Sequence, residues 1–373
     1  MKKLILFLLP LFILTACVEE EQYDNTTQGN FQALWKIMDE HYCFFSEKEK
    51  ELGVDWNEVK VRYSKQANSM LSRDQLFELL ASMLDQIAQV LKEVPDQMFL
   101  VEGHTASVGY EKGEMKLSVE RANSVANALI QRGIPREKFI CKEAYPANYS
   151  DTLTRKYLGT DYRIASGLKY RILDDNTGYV QCLTFENSFG NGNLDEVFYY
   201  LAPCSKIIID VRNNGGGMIT SAQKLASRFT DEELLVGYIQ HKTGRGHSDF
   251  SAMEAQYLQP GKGIRWRKPV CVLTNRSVYS AANEFVKCMK AIGRARKGAS
   301  SSVTIIGDTT GGGAGMPFSS ELPNGWGVRF SACPMYDADG NTTEFGIAPD
   351  VKVDITDEDF AKGLDTIIEA ARR

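Results

Sequence analysis

Short apolar runs alternate with amphipathic segments from about Tyr157 onward, and this alternation limits what the chain can fold into. The predicted strands are residues 178–185, 205–211, 234–240, 269–274 and 303–307. The predicted helices are residues 194–201, 218–229, 281–292 and 357–371. Strands and helices that alternate in this way form a sheet covered by helices. We therefore expect a layered α/β core.

Residues 29–86 have a different, helical pattern. Apolar side chains recur three and four positions apart from Leu34 to Met38, and His41 continues the same face. Ser72 stands where a helix cap is expected. This region is predicted to form a helical unit ahead of the α/β core.

The N-terminus has the pattern of an export signal. Two lysines precede an apolar run, residues 4–14, which is too short to span a bilayer. The run leads into Leu-Thr-Ala-Cys17, which resembles a bacterial lipobox. The resemblance implies that residues 1–16 are a lipoprotein signal peptide, that Cys17 is lipidated, and that residues 17–28 are a tether. An ordinary secretory signal that contains a cysteine is the alternative.

Composition argues against several other classes of protein. The net charge is −5 and no basic stripe with interleaved aromatic residues occurs, so a nucleic-acid partner is not expected. The cysteines after Cys17 show no CxxC spacing of the zinc-binding kind. We predict buried free thiols and neither a metal nor an organic cofactor, although an exported protein can form disulfides. These cysteines are Cys43, Cys141, Cys182, Cys204, Cys271, Cys288 and Cys333.

A serine at a strand-to-helix junction is the first candidate for chemistry. Ser280 follows the predicted strand 269–274 and directly precedes the predicted helix 281–292. The N-terminus of a helix offers unpaired N–H groups and a partial positive charge, and both stabilise a nearby oxyanion. The alternative is that Ser280 only caps the helix.

A glycine-rich loop at the end of an earlier strand is the second candidate. The loop is Asp210-Val-Arg-Asn-Asn-Gly-Gly-Gly217. Consecutive glycines let a backbone approach a ligand and present its N–H groups. Acyl transfer needs such donors beside a nucleophilic hydroxyl. The alternative is a tight turn without a binding role, and the ending of a phosphate-binding P-loop is absent.

Together with three later motifs, these segments resemble the C-terminal processing, or tail-specific, serine peptidases. The later motifs are Gly307-Asp-Thr-Thr-Gly-Gly-Gly-Ala-Gly315, Leu322-Pro-Asn-Gly-Trp326 and Glu344-Phe-Gly-Ile-Ala-Pro-Asp350. The resemblance covers residues 145–373 and the helical region before Gln86, and it implies a Clp protease/crotonase-like core. It makes Ser280 the nucleophile and makes the N–H groups of Ala281 and Gly216 the oxyanion donors. Gly217 replaces Gly216 if the register shifts by one.

The resemblance does not identify the general base with a single residue. Many members have a lysine in the turn that corresponds to residues 310–315, and this chain has none there. The chain therefore resembles the tricorn-core branch, in which a histidine deprotonates the serine and a glutamate supports it. Glu344 matches the glutamate, with an exposed loop carboxylate as the alternative. His104, in Glu-Gly-His-Thr, is the first candidate for the base, and His241 and His247 are the alternatives.

Residues 87–144 resemble part of an outer membrane protein A-like peptidoglycan-binding domain. The matching motifs are Phe99-Leu-Val-Glu-Gly-His-Thr-Ala-Ser-Val-Gly109, Leu117-Ser-Val-Glu-Arg-Ala122 and Arg132-Gly-Ile-Pro135. In that family an aspartate and an arginine bind diaminopimelate. Here Ala106 stands at the aspartate position and Arg121 is kept, so a weak contact with peptidoglycan is expected. The alignment with this family gives His104 a structural role between a strand and a loop. One side chain is not expected to fill this role and also act as the base for Ser280.

The combined expectation is a serine endopeptidase that is lipid-anchored in the bacterial cell envelope and faces the periplasm or the cell surface. It hydrolyses extended peptides or protein tails through an acyl-enzyme on Ser280. The alternative is a catalytically weak or inactive envelope lipoprotein that contacts peptidoglycan through residues 87–144.

Overall fold

A computed structural model describes most of the chain outside its N-terminus and residues 81–147. The described residues are 22–53, 55–68, 71–76, 79–80, 99–100, 139–140, 148–296, 298 and 302–373. The predicted signal peptide, Cys17, His104 and Arg121 lie outside them. No helix within these ranges is both long and apolar enough to cross a membrane.

The helices are α1 (Thr27–His41), α2 (Phe45–Leu52), α3 (Trp56–Ser64), α4 (Asp151–Leu158), α5 (Asn191–Leu201), α6 (Ile219–Ala226), α7 (Ala281–Ala295), α8 (Asp357–Ala361) and α9 (Thr366–Arg372). The strands are β1 (Phe99–Leu100), β2 (Phe139–Ile140), β3 (Arg163–Ala165), β4 (Leu168–Ile172), β5 (Thr177–Gln181), β6 (Lys206–Asp210), β7 (Leu234–Ile239), β8 (Glu254–Leu258), β9 (Val270–Thr274), β10 (Val303–Gly307), β11 (Gly315–Glu321), β12 (Gly327–Tyr336) and β13 (Val351–Lys352).

A seven-stranded sheet in the order β13-β10-β9-β6-β5-β4-β3 forms the core. The five strands from β13 to β5 are parallel, β4 is antiparallel to β5, and β3 is antiparallel to β4 and therefore runs in the same direction as the five. Central strands are apolar at consecutive positions, for example at Ile207, Ile208 and Ile209, because helices cover both faces of the sheet. This arrangement confirms the predicted α/β core.

Alternate residues of the central strands pack into different hydrophobic clusters. Ile207 and Ile209 pack in one cluster with Phe198 of α5 and Phe285 of α7. Ile208 packs in the other cluster with residues of α4 and α9. The core therefore has three layers, and α7 is fixed in one outer layer directly after β9.

A second, four-stranded antiparallel sheet has the order β11-β12-β7-β8. The β11–β12 hairpin was not predicted, because β11 combines Pro317 with serines and is largely exposed. The N-terminal helices pack on this sheet: Met38 and Tyr42 contact the cluster around Phe330, and the Cys43 N–H donates to the Ser331 carbonyl at 2.9 Å. The second sheet thereby joins the helical unit to the core.

Two local predictions have different outcomes. The prediction of one helix over residues 357–371 is wrong, because the chain forms α8 and α9. Between them Gly363 has a φ of 72°, and the Asp365 carboxylate accepts from the first N–H groups of α9. The Ser72 cap is confirmed, since its hydroxyl accepts from the Gln75 N–H at 3.2 Å. The six described cysteines are free, as expected.

Candidate active site

Ser280 lies between β9 and α7 with a strained backbone. Its φ is 55° and its ψ is −121°, a conformation that residues other than glycine rarely adopt. The Ala282 N–H donates to the Tyr279 carbonyl at 3.0 Å and closes a tight turn around Ser280. Such a conformation costs about 1–3 kcal/mol and persists only where the surrounding structure imposes it. Strained strand-to-helix turns also present the nucleophilic serine of α/β-hydrolases.

The Ser280 hydroxyl is not used as a helix cap. Although Ser280 occupies the N-cap position of α7, its side chain makes no capping hydrogen bond. The Ser280 N–H donates to the Gly312 carbonyl at 2.9 Å, and the Ser280 carbonyl accepts from the Glu284 N–H at 3.0 Å. The backbone is therefore fixed on both sides, while the hydroxyl remains available for chemistry.

The glycine-rich loop approaches Ser280 so closely that Gly216 has no room for a side chain. A Cβ on Gly216 would lie 2.8 Å from the Ser280 Cβ and 3.0 Å from the Ala281 nitrogen, and its φ is 108°. The Gly216 N–H donates to Asn214 Oδ1 at 2.9 Å, so it is occupied in this conformation. The loop therefore lies directly beside Ser280, and the Gly216 N–H points to the side chain of Asn214 in the same loop.

Gly217 and Ala281 retain unpaired N–H groups. Phe185 brackets Gly217, because the Phe185 N–H donates to the Gly216 carbonyl at 2.8 Å and the Phe185 carbonyl accepts from the Met218 N–H at 3.0 Å. Neither the Gly217 N–H nor the Ala281 N–H has a hydrogen-bond acceptor in the described part of the chain. Of the three N–H groups predicted as oxyanion donors, those of Gly217 and Ala281 therefore have no acceptor among the described residues, whereas that of Gly216 has one.

The base of the glycine-rich loop is held by a buried arginine that sequence reasoning did not single out. Arg212 is fully buried and donates to Asp210 at 2.9 and 2.7 Å and to both oxygens of Asp365 at 3.1 and 2.9 Å. The Tyr179 hydroxyl also donates to Asp210, at 2.7 Å. Burial raises the pKa of Asp365, against the opposing effect of Arg212. Through this network the loop is tied to the start of α9.

Glu344 supports the turn that holds the Ser280 backbone. The Gly313 N–H donates to the Glu344 carbonyl at 3.2 Å, and the Ala314 N–H donates to Glu344 Oε2 at 2.9 Å. Burial raises the pKa of Glu344 to about 7, against the opposing effects of Lys48 and of the Ala314 N–H. The Glu344 carboxylate thus contacts the turn that accepts the Ser280 N–H, and it makes no hydrogen bond with the Ser280 hydroxyl.

Asn283, one turn into α7, ties the same turn to the helix. It is buried; its Oδ1 accepts from the Thr310 hydroxyl at 2.6 Å, and its Nδ2 donates to the Thr343 carbonyl at 3.2 Å. The Thr310 hydroxyl in turn accepts from the Ile347 N–H at 2.7 Å. Only its place three residues after Ser280 could have marked Asn283 in the sequence.

The described histidines have partners away from Ser280. His241 Nδ1 lies 3.5 Å from Cys333 Sγ, and His247 Nε2 lies 2.8 Å from Asp39 of α1. His41 stacks on Phe330. None of these three histidines lines the cavity at Ser280. His104 lies outside the described residues, so its role as the base stays a prediction.

A cavity of about 50 Å³ opens beside Ser280. Ile219, Pro317 and Met335 give it apolar walls, and Glu284 and Arg329 give it charged ones. Gly217 of the glycine-rich loop also lines it. Ser280 and Gly217 thus line the same small space.

Comparisons with known proteins agree with this geometry. Residues 176–353 match peptidase family S41, residues 23–85 match the tricorn protease C1 domain, and residues 73–157 match the OmpA family. The crystal structure of a candidate peptidase from Parabacteroides merdae is 41% identical, covers 93% of this chain and 96% of that chain, and has a TM-score of 0.72. The chain belongs to peptidase family S41.

More distant matches extend this picture. The carboxy-terminal processing protease CtpA of Bacillus subtilis is 26% identical over 186 residues, 49% of this chain and 36% of CtpA. The Escherichia coli protein YiaD, named as a probable lipoprotein, is 41% identical over 68 residues, 18% of this chain and 31% of YiaD. The matches thus span about a third of either relative's length. Mature CPAF with lactacystin has the same fold, at 12% identity, 93% and 97% coverage and a TM-score of 0.61.

These matches confirm the resemblance to the C-terminal processing peptidases, the Clp protease/crotonase-like core and the outer membrane protein A-like segment. The OmpA match and the likeness to YiaD indicate association with the cell envelope.

Proposed function

We propose that this protein is a serine endopeptidase that cleaves peptide bonds through an acyl-enzyme on Ser280. The observation that carries the proposal is a strained serine beside the N–H groups of Gly217 and Ala281, where neither the hydroxyl nor these two N–H groups has a hydrogen-bond partner among the described residues. Membership of peptidase family S41 supports the peptidase over the inactive lipoprotein. The roles of these residues are our proposal.

The proposed reaction has two halves. The Ser280 oxygen attacks the scissile carbonyl carbon while an imidazole, for which His104 is our first candidate, takes the hydroxyl proton. The carbonyl oxygen becomes negative and accepts hydrogen bonds from the Gly217 and Ala281 amides. The intermediate collapses, the C–N bond breaks, and the leaving amine takes the proton from the imidazole. Water then repeats the sequence on the ester and releases the acid and the serine.

The free edge of β11 supports an extended peptide as the substrate. β11 begins at Gly315, which lines the cavity at Ser280, and within the described residues it pairs only with β12. An edge strand can bind an extended peptide through backbone hydrogen bonds. We infer that protein tails or unfolded segments, which present such a backbone, are the substrates.

We further propose the location and organisation of the chain. Residues 1–16 are the signal peptide, Cys17 carries the lipid, residues 17–28 form the tether, and residues 29–86 form the helical unit. Residues 87–144 contact peptidoglycan weakly through Arg121, and residues 145–373 carry the peptidase. The OmpA match over residues 73–157 supports the peptidoglycan contact.

An active-site probe tests the peptidase. A fluorophosphonate bearing a fluorophore should label the wild-type protein, and Ser280→Ala should abolish labelling because the probe forms a bond with an activated serine oxygen. Ser188→Ala, at an exposed serine outside the site, is the matched control and should label normally. A folded wild-type protein that neither reacts with the probe nor cleaves unfolded protein would refute the proposal.

Histidine variants test the base. His104→Ala should reduce labelling and turnover strongly, whereas His241→Ala and His247→Ala should retain most of both, because these two side chains contact Cys333 and Asp39. Loss of turnover in His241→Ala or His247→Ala alone would move the role of base to that residue.

Sedimentation with purified peptidoglycan sacculi tests the wall contact. The wild-type protein should co-sediment weakly, and Arg121→Ala should remain in the supernatant. Equal sedimentation of the two proteins would contradict a role for Arg121.

A further inference from the structure

An unpaired arginine stands at the wall of the Ser280 cavity. Arg329 lies on β12, opposite Ser319 of β11, and its side chain is exposed. It lines the same cavity as Ser280. It has neither an ion pair nor a hydrogen bond within the described ranges, which distinguishes it from the neighbouring cations of the core.

Three other cations near the site have carboxylate partners among the described residues. Arg212 is paired with two aspartates, and Arg276 lies 3.5 Å from Asp308. Lys287 Nζ lies 2.8 Å from Glu284 Oε2.

The pair between Glu284 and Lys287 also decides the charge of the cavity. Glu284 is the other charged residue of the cavity wall, and its carboxylate is compensated by Lys287 within the buried part of α7. Arg329 is uncompensated. The cavity wall therefore carries a net positive charge beside the Ser280 hydroxyl.

We propose that Arg329 binds a carboxylate of the substrate close to the scissile bond, an inference that rests on the proposed peptidase function. A guanidinium binds a carboxylate with two parallel hydrogen bonds, which gives both affinity and orientation. The cavity is only about 50 Å³, so a group held by Arg329 lies on a residue adjoining the bond that Ser280 attacks.

The carboxylate has two possible sources. A free C-terminal α-carboxylate would make the enzyme trim a very short tail, and an aspartate or glutamate side chain would make it select internal acidic sites. Arg329 would bind either carboxylate in the same way, so the two sources must be distinguished by the choice of test peptides.

The binding test uses the Ser280→Ala protein, which cannot turn over, and four labelled peptides of one sequence. The peptides combine a free or amidated C-terminus with a glutamate or a glutamine next to the cleavage site, and anisotropy measures their affinities. The preferred carboxylate should improve the dissociation constant roughly tenfold to a hundredfold, and Arg329→Met on the same background should abolish that preference. High salt should weaken the preference.

Kinetics on the active protein give the second readout. Arg329→Met should lower the ratio of kcat/KM for the acidic peptide to that for its neutral partner to about one, and Arg329→Glu should invert the ratio. Arg155→Met, at an arginine of α4 outside the cavity, should keep both the ratio and the activity.

The outcomes separate this inference from the proposed function. If the wild-type protein cleaves all four peptides equally, or if Arg329→Met keeps the preference, the inference is wrong and the peptidase remains. If Ser280→Ala shows the Arg329-dependent preference but the wild-type protein cleaves no peptide, the carboxylate site stands and the peptidase function fails.

Discussion

The ionisation of Glu344 should limit the stability of this fold at alkaline pH. Burial raises its pKa from 4.5 to about 7. Between these values the folded protein binds more protons than the unfolded chain, so the free energy of unfolding falls as the pH rises. Below about pH 4.5 Glu344 is protonated in both the folded and the unfolded state, so its burial does not lower the free energy of unfolding. Above about pH 7 the free energy of unfolding is lowered by the full amount.

The size of the penalty follows from the shift. At about 1.4 kcal/mol per pKa unit, a shift from 4.5 to about 7 corresponds to roughly 3 kcal/mol. Glu344→Gln removes the charge and keeps an acceptor for the Ala314 N–H, but it also takes a counter-charge from Lys48, whose pKa is already lowered by burial. We therefore expect a net stabilisation of about 1–3 kcal/mol at about pH 8 and little change below about pH 5.

Urea unfolding followed by tryptophan fluorescence at several pH values measures this difference. Glu321→Gln, at an exposed carboxylate on the last residue of β11, is the matched control and should change stability little at any pH. A Glu344→Gln protein that is less stable than the wild type at alkaline pH, or equally stabilised across the whole range, would refute the reasoning.

Three further predictions concern the supports of the site. Gly216→Ala should lower kcat about a hundredfold without unfolding the protein, because its Cβ would lie 2.8 Å from the Tyr279 carbonyl oxygen and would displace the adjoining Gly217 N–H, a proposed oxyanion donor; unchanged kcat would contradict this. Arg212→Met should destabilise the protein by about 3–5 kcal/mol in urea, since two buried carboxylates lose their counter-ion; a neutral effect would contradict this. Asn283→Leu should cost about 1–3 kcal/mol, and a stability equal to that of the wild type would show that its hydrogen bonds contribute nothing.

The parallel strands of the core could be predicted because burial on both faces produces continuous apolar runs. β6, β9 and β10 lie within a residue of the predicted bounds. The predicted strand 178–185 ends early, at Gln181, since the chain then turns so that Phe185 pairs with Gly217. β11 escaped prediction because its stability comes from β12 and not from an apolar face.

The site itself was predictable only where its parts are local. Ser280 and the glycine-rich loop are marked by turns and glycines that adjoin strands. The contact of Arg212 with Asp365 joins residues 153 positions apart, and no local pattern encodes such a pair. The unpaired state of Arg329 likewise depends on which carboxylates fold near it.

The contact between Arg212 and Asp365 has a consequence for the synthesis of this protein. Chains fold from the N-terminal side as they leave the ribosome. The glycine-rich loop lacks its second carboxylate until Asp365 emerges, long after Ser280 has done so. A nascent chain therefore exposes Ser280 and the glycine-rich loop before Asp365 can complete the pairing of Arg212.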